Sequence, residues 1–422
     1  MARVIGSASP ARARESFRGY GELVKDPNGI LELPRGFQYR IFSREGEALS
    51  HGGSVPSNHD GMAAFAAGLH GVWLVRNHEV EASDVAEEDK IGVAALKGAT
   101  YDPEGSGGTT TLLAGWNRQL RSDRISLAGT ENNCAGGATP WHTWLTCEET
   151  EDILAKPHGY VFEVDPWRGG NPEPIVAMGR FAHEAVAFDR RGVGYLSEDA
   201  SGPFGCLYRF APKHAHGGAG SLHAGGVLTA AAIGGLSDDL SIVQEPGTKL
   251  PVIWLPVSNV DPGKDDAPVR EQAIEAGATP IQKAEGLWTG LDGSVWFVSS
   301  YGGGPDAEDE EDRSAVAHAG QIWRYDPGSE TIELVTVFPV GVPWDGPDNI
   351  TASPHGFALA CNDGDGEQFL VAINDAGEVF PFARNAYNDV EFAGATFSPS
   401  GQTLFVNIQE PGVTIAIWGP WR

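Results

Sequence analysis

The chain has 422 residues, 56 of them glycine and 28 proline, and its 41% hydrophobic share allows a large core. A formal net charge of −28 argues against a nucleic-acid backbone or an anionic lipid surface as partner, because both would repel it. Strand-like runs recurring between glycines and prolines point to an all-β protein, and all-β propellers exceed the usual domain size as single units.

In chain order, residues 1–30 read as an N-terminal extension leading into the first blade of one domain spanning 1–422. The first residues lack an apolar signal core, and Ala13 separates Arg12 from Arg14, so there is no twin-arginine pair. No apolar run is long enough to cross a bilayer. Strand pairs then recur: GVWLVRNHE from Gly71, TWLTCEET from Thr143, GVGYLSEDA from Gly192, GSVWFVSS from Gly293, HGFALACND from His355 and QTLFVNIQE from Gln402. These six related units predict a six-bladed β-propeller with loop and short-helix insertions. In VWFVSS, Trp296 and Val298 share one face and Val295 and Phe297 the other, as a sheet sandwiched between blades requires. Trp73, Trp144, Trp296 and Trp323 are expected in that core. Residues 212–231 and 302–319 read as insertions, and short helices are expected near Leu236–Leu240 and Val269–Glu275. The acidic run Ala307–Arg313 reads as a solvated loop.

The acids are placed systematically. Glu79, Glu148, Glu149, Glu184, Glu198, Asp199 and Glu285 each begin or end an apolar run. In a propeller such strand ends converge on the central channel, where clustered carboxylates raise one another's pKa unless cations lie between them. Taken singly, a glutamate after a strand is usually a solvated turn residue, but the same placement in several units is harder to put down to chance. The four cysteines show no CxxC spacing. Cys147, Cys206 and Cys361 lie in strand runs and fit a buried thiol. Cys134 lies in the turn-rich NNCAGGATPWHTW, where a thiolate beside carboxylates would select a softer transition metal such as iron. The histidines have no HExxH spacing, and His78 and His183, each preceding a glutamate, should face away from it on a strand. GGTTTL from Gly107 lacks the lysine of a phosphate-binding loop, and there is no GxSxG nucleophile elbow.

Several of these segments resemble one family. NHDGMAAF from Asn58, RNHE from Arg76, GGTTTL from Gly107, NNCAGGATPWHTWLTCEE from Asn132, GRFAHEAVAFD from Gly179, PDNI from Pro347 and GATFSPSGQTLFVNIQEPG from Gly394 are similar, in order, to the PhoX-type alkaline phosphatases. The resemblance implies a six-bladed propeller whose channel holds iron and calcium (Fe3+ and Ca2+) and hydrolyses phosphate monoesters, sometimes diesters. It implies Cys134 as the iron thiolate and Glu79, Glu148, Glu149, Glu184 and Glu285 as carboxylate ligands, with Asp348 and Glu198 as further candidates for the calcium shell. Lys283 stands where the family is expected to carry an arginine. It keeps a charge for the substrate phosphate but loses the bidentate fork. Lys283 and Glu285 are thus the expected catalytic residues, with an activated oxygen rather than a side chain as nucleophile. The expected partner is a small phosphate ester met by a monomer, in the periplasm or outside the cell by resemblance, with the cytoplasm left open by the missing export signal. Two other readings fit the acid-lined channel: a calcium-dependent lactonase-like propeller, and a non-catalytic propeller serving as a binding module.

Overall fold

The computed structural model describes residues 17–83, 90–91, 98–202, 204–236, 238–309 and 312–422. These form five antiparallel sheets in a propeller-like arrangement. Strands His59–Ala66, Val72–His78, Gly107–Ala114 and Leu120–Thr130 make one sheet, and Asn133–Ala138, Trp144–Glu148, Val161–Asp165 and Gly169–Gly170 the next. A nine-stranded sheet runs from His183–Phe188 through Gly194–Glu198, Leu207–Pro212, Gly226–Ile233 and Lys249–Pro256, then back through Thr331–Val337, Gln321–Asp326 and Val295–Ser299 to Ala284–Thr289. Pro347–Ala352, Ala358–Asn362, Phe369–Ile373 and Val379–Asn385 follow, extended at the outer edge by Leu31–Pro34 and Leu23–Val24. Last, Gln38–Arg44 from the N-terminal part adds to Phe392–Phe397, Leu404–Ile408 and Val413–Trp418, so the two ends of the chain share a sheet.

The sequence reading expects six separate sheets, and the described residues form five. The difference lies in Lys249–Pro256, which pairs with Gly226–Ile233 along one edge and with Thr331–Val337 along the other. It joins two four-stranded units that would otherwise end in open edges. The segment 212–231, expected as an insertion, contains the start of strand Gly226–Ile233. The helix Val269–Glu275 stands where expected. Near Leu236–Leu240 there is a 3₁₀ turn at Leu240–Ile242, and Ser237 lies outside the described residues. Glu308 and Asp309 of the acidic run are exposed, while Glu310 and Glu311 lie outside the described residues, as do 1–16 of the expected extension. Leu23–Val24, also within that extension, is built into a sheet.

The innermost strands, starting at His59, Asn133, His183, Ala284, Pro347 and Phe392, are neighbours in a closed cycle. Small residues let these backbones meet at the axis. A Cβ on Gly137 would lie 1.7 Å from the Val186 carbonyl oxygen, and one on Gly61 2.6 Å from the Ala135 Cα. Further out, Trp144, Phe162, Phe65 and Tyr101 fill the space between sheets, and Trp296 and Trp323 are buried while Trp73 is half-buried.

Candidate metal centre

Each innermost strand carries a β-bulge near its start, after the first residue in five strands and after the second in Phe392–Phe397. The pairing slips by one residue between His59 and Met62, Asn133 and Gly136, His183 and Val186, Ala284 and Leu287, Pro347 and Ile350, and Ala393 and Thr396. A bulge re-aims a side chain and interrupts the ladder. The first bulged residues are therefore Asp60, Cys134, Glu184, Glu285 and Asp348, and the last sheet, whose slip lies one residue later, has Ala393 in the matching place after Phe392. A second set lies one position beyond the neighbouring strand of each unit: Glu79, Glu149, Asp199, Ser300, Asp363 and Gln409.

A backbone device ties the two sets together. Two residues before the bulge, Asn58, Asn132, Lys283 and Gly346 are left-handed, with φ of 45°, 45°, 41° and 56°. Their carbonyls accept from the N–H of Glu79 (3.0 Å), Glu149 (2.9 Å), Ser300 (2.9 Å) and Asp363 (2.7 Å) respectively. Asparagine and glycine tolerate this conformation, whereas lysine is strained in it.

The side chains converge in three overlapping groups: Asp60, Glu79 and Cys134; Cys134, Glu149 and Glu184; Glu184, Glu285 and Asp348. Within each group the ligand atoms lie within 4.8 Å of one another. Both Glu184 oxygens are buried without a hydrogen-bond partner, a costly state for a carboxylate in protein. Burial, then repulsion from Asp348, Glu149 and Glu285, pushes the Glu184 carboxyl well above the usual range. Burial also leads for Asp348, which with Asp363 and Glu79 nearby is raised to about 8, and for Cys134, whose thiol is pushed up. So many acids can ionise together only around positive charge. The donor set fits more than one cation: a thiol among carboxylates on one side, oxygens alone on the other.

The family model of alkaline phosphatase PhoX matches residues 18–412. The chain belongs to the PhoX alkaline phosphatase family. It is therefore a metal-dependent hydrolase of phosphoric esters. The fold of this PhoX-family chain is similar to that of Pseudomonas fluorescens PhoX in complex with vanadate, a transition state analogue, at 19% identity and a TM-score of 0.68 over 93% of this chain and 96% of that one. A gluconolactonase from Xanthomonas campestris aligns at 11% identity and a TM-score of 0.48 over 96% of this chain and 100% of that one. Regucalcin, a calcium-binding protein from Agrobacterium tumefaciens, aligns at 10% and 0.42 over 90% and 96%. None of the curated proteins matches the chain.

Of the residues singled out from the sequence, Glu79, Cys134, Glu149, Glu184, Glu285 and Asp348 come together, and the charge of Lys283 offsets part of the rise that burial and neighbouring acids impose on the Glu285 and Asp363 carboxyls. Glu148 and Glu198 do not join them, which corrects their assignment as ligands. Each is the last residue of its strand, paired with the residue before a bulge, so it points opposite to the next residue and into its own sheet. Glu148 accepts from His158 Nδ1 (2.7 Å) and from the N–H groups of Gly159, Tyr160 and Glu131 (2.9 Å each). Glu198 accepts from the Tyr208 hydroxyl and from Arg270 (3.3 Å). His78 occupies the equivalent place and bonds the Ser57 carbonyl (2.7 Å) and Thr110 Oγ1 (2.9 Å). The sequence reading misses Asp60, Asp363 and Gln409 and prefers Glu198 to Asp199. The signal was present: Asp60 follows Asn58 at the spacing by which Cys134 follows Asn132, and Asp199 follows Glu198 as Glu149 follows Glu148.

Proposed function

We propose that this chain is a PhoX-type phosphatase in which Cys134, Glu79, Glu149 and Glu184 hold iron and Glu184, Glu285 and Asp348 hold calcium, with Asp60 beside the thiolate. The buried, unpartnered Glu184 carboxylate, shared by a thiol-containing group and an all-oxygen group, is the observation that carries this reading. Asp199 and Asp363 extend the acid set, since their charges raise the pKa values of Glu285 and Asp348. In this reading the fold is a six-bladed propeller over one domain, the nine-stranded sheet being two blades joined by Lys249–Pro256.

Bound cations supply positive charge to the phosphate oxygens and activate the oxygen nucleophile. The chain's own residues do the rest. Lys283 takes a phosphate oxygen as a point charge, and its strained backbone, at a site where other units use asparagine or glycine, supports a functional reason for a lysine there. Glu285, two residues on, fixes the cation side of the same contact. The small-molecule substrate is a phosphate monoester, with diesters as a second class. The enzyme acts as a monomer whose acidic surface repels other copies, in the periplasm or outside the cell as is usual for the family.

Cys134→Ala tests the ligand assignment against Cys147→Ala, a buried thiol facing the sheet interior. Loss of iron and turnover in the first alone is expected. Full iron and activity in Cys134→Ala would overturn it.

A further inference from the structure

The sheet formed by the two ends of the chain breaks the ring's pattern. In the places of Asp60 and Glu79 stand Ala393 and Gln409, so among the described residues this sheet brings no acid to either position, and its buried acid, Glu391, sits where other units have Asn58, Asn132 or Lys283. The sheet brings a cradle for its neighbour Asp60. Gln409 Nε2 donates to Asp60 Oδ2 (3.1 Å) and to Glu79 Oε2 (2.7 Å). Asn407, two residues earlier on the same face, donates to the Asp60 carbonyl (2.6 Å). A Cβ on Gly394 would fall 2.3 Å from that carbonyl oxygen and 3.0 Å from Asn407 Nδ2, so only glycine leaves room for the contact.

The amide is itself anchored. The Gln409 N–H donates to the Glu391 carbonyl (3.2 Å), and its own carbonyl accepts from the His59 N–H (3.2 Å), one residue before Asp60. Its side chain therefore starts from a fixed point between two sheets. Gln409 holds Asp60 Oδ2, and Oδ1, which accepts from the Gly61 N–H (2.5 Å), faces Cys134 Sγ 4.0 Å away. Other units place Glu79, Glu149, Asp199 or Asp363 at the position of Gln409. A neutral donor here fixes two carboxylates without adding a charge, and such outer partners set ligand orientation and metal affinity.

We propose that Gln409 is a positioning residue that orients Asp60 and Glu79 toward the thiol side of the metal centre, with Asn407 and Gly394 shaping its cradle. This rests on the metal-centre reading above. The test strips the full-length protein of metal and titrates calcium and iron separately into wild type and Gln409→Met, which keeps length and removes the donor. Melting temperatures are recorded with and without each ion. The expected result is affinity for at least one ion weakened about 10- to 100-fold, an unchanged metal-free melting temperature and a smaller metal-induced rise. Gln409→Asn, with the amide kept but shortened, should fall between the two, and it carries the comparison if the methionine variant does not fold. Wild type taking up no ion would sink the metal reading itself. Wild type and variants binding alike would sink only the positioning role.

Discussion

Glu148 and Glu149, adjacent in sequence, face opposite sides of the same sheet. The first is saturated by four donors from its own surroundings, and the second meets Cys134 and Glu184 in the channel. Substitution should separate them. Glu149→Gln should leave the melting temperature of the metal-free protein near wild type and abolish metal uptake and turnover. Glu148→Gln should instead cost about 1–3 kcal/mol of stability through lost charge-assisted hydrogen bonds, read by denaturant unfolding, while the folded fraction keeps its metal.

His158 links that buried carboxylate to pH. Burial pulls its pKa down, but the Glu148 hydrogen bond and the charges of Glu148, Glu131 and Asp102 outweigh this and leave it raised above 6.5. The protonated ring is the stabilising form, so its contribution is complete below the unfolded value near 6.5 and drains away as pH rises through the folded value. At saturating calcium, wild type should lose melting temperature relative to His158→Gln on crossing upward through that window. Parallel curves would show that the ring is not charged in the folded protein.

Lys283 combines a strained left-handed backbone with a charge that acts on Glu285 and Asp363. Lys283→Asn matches Asn58 and Asn132 at the same left-handed position and should stabilise the fold by about 1 kcal/mol while raising KM for a phosphate ester. Lys283→Arg should recover or improve kcat/KM by restoring the bidentate fork. A lysine without a role would leave KM unmoved in both.

Gly61 follows Asp60 in its bulge, and an added Cβ would meet the Cys134 carbonyl oxygen at 2.7 Å as well as the Ala135 Cα. Gly61→Ala should therefore displace the thiol strand and lose iron and turnover together. Gly68, an exposed turn glycine with open space around it but φ of 58°, is the control: its alanine variant strains a turn and should keep both.

What the sequence made legible was periodic. Recurrent strand pairs announced an all-β propeller-like fold, and strand-end acids with the isolated Cys134 announced a buried cluster of acids around a thiol. The join at Lys249–Pro256 was hidden, because nothing in a strand's own pattern says that both its edges will be paired. Glu148 and Glu198 misled because their side-chain direction depends on where a strand stops, and that end is set by pairing with the residue before a bulge. Asp60 was hidden because a bulge, not alternation, aims it. Gln409 carries no charge to draw attention, and its role follows only from the neighbouring sheet.

The central claim is a mixed metal centre serving phosphate-ester hydrolysis. Elemental analysis for iron and calcium on purified protein, run beside p-nitrophenyl phosphate turnover with and without added calcium, tests it most directly. Both elements present, with turnover raised by calcium, is the predicted result. Calcium without iron, and no release of p-nitrophenol under either condition, would contradict it.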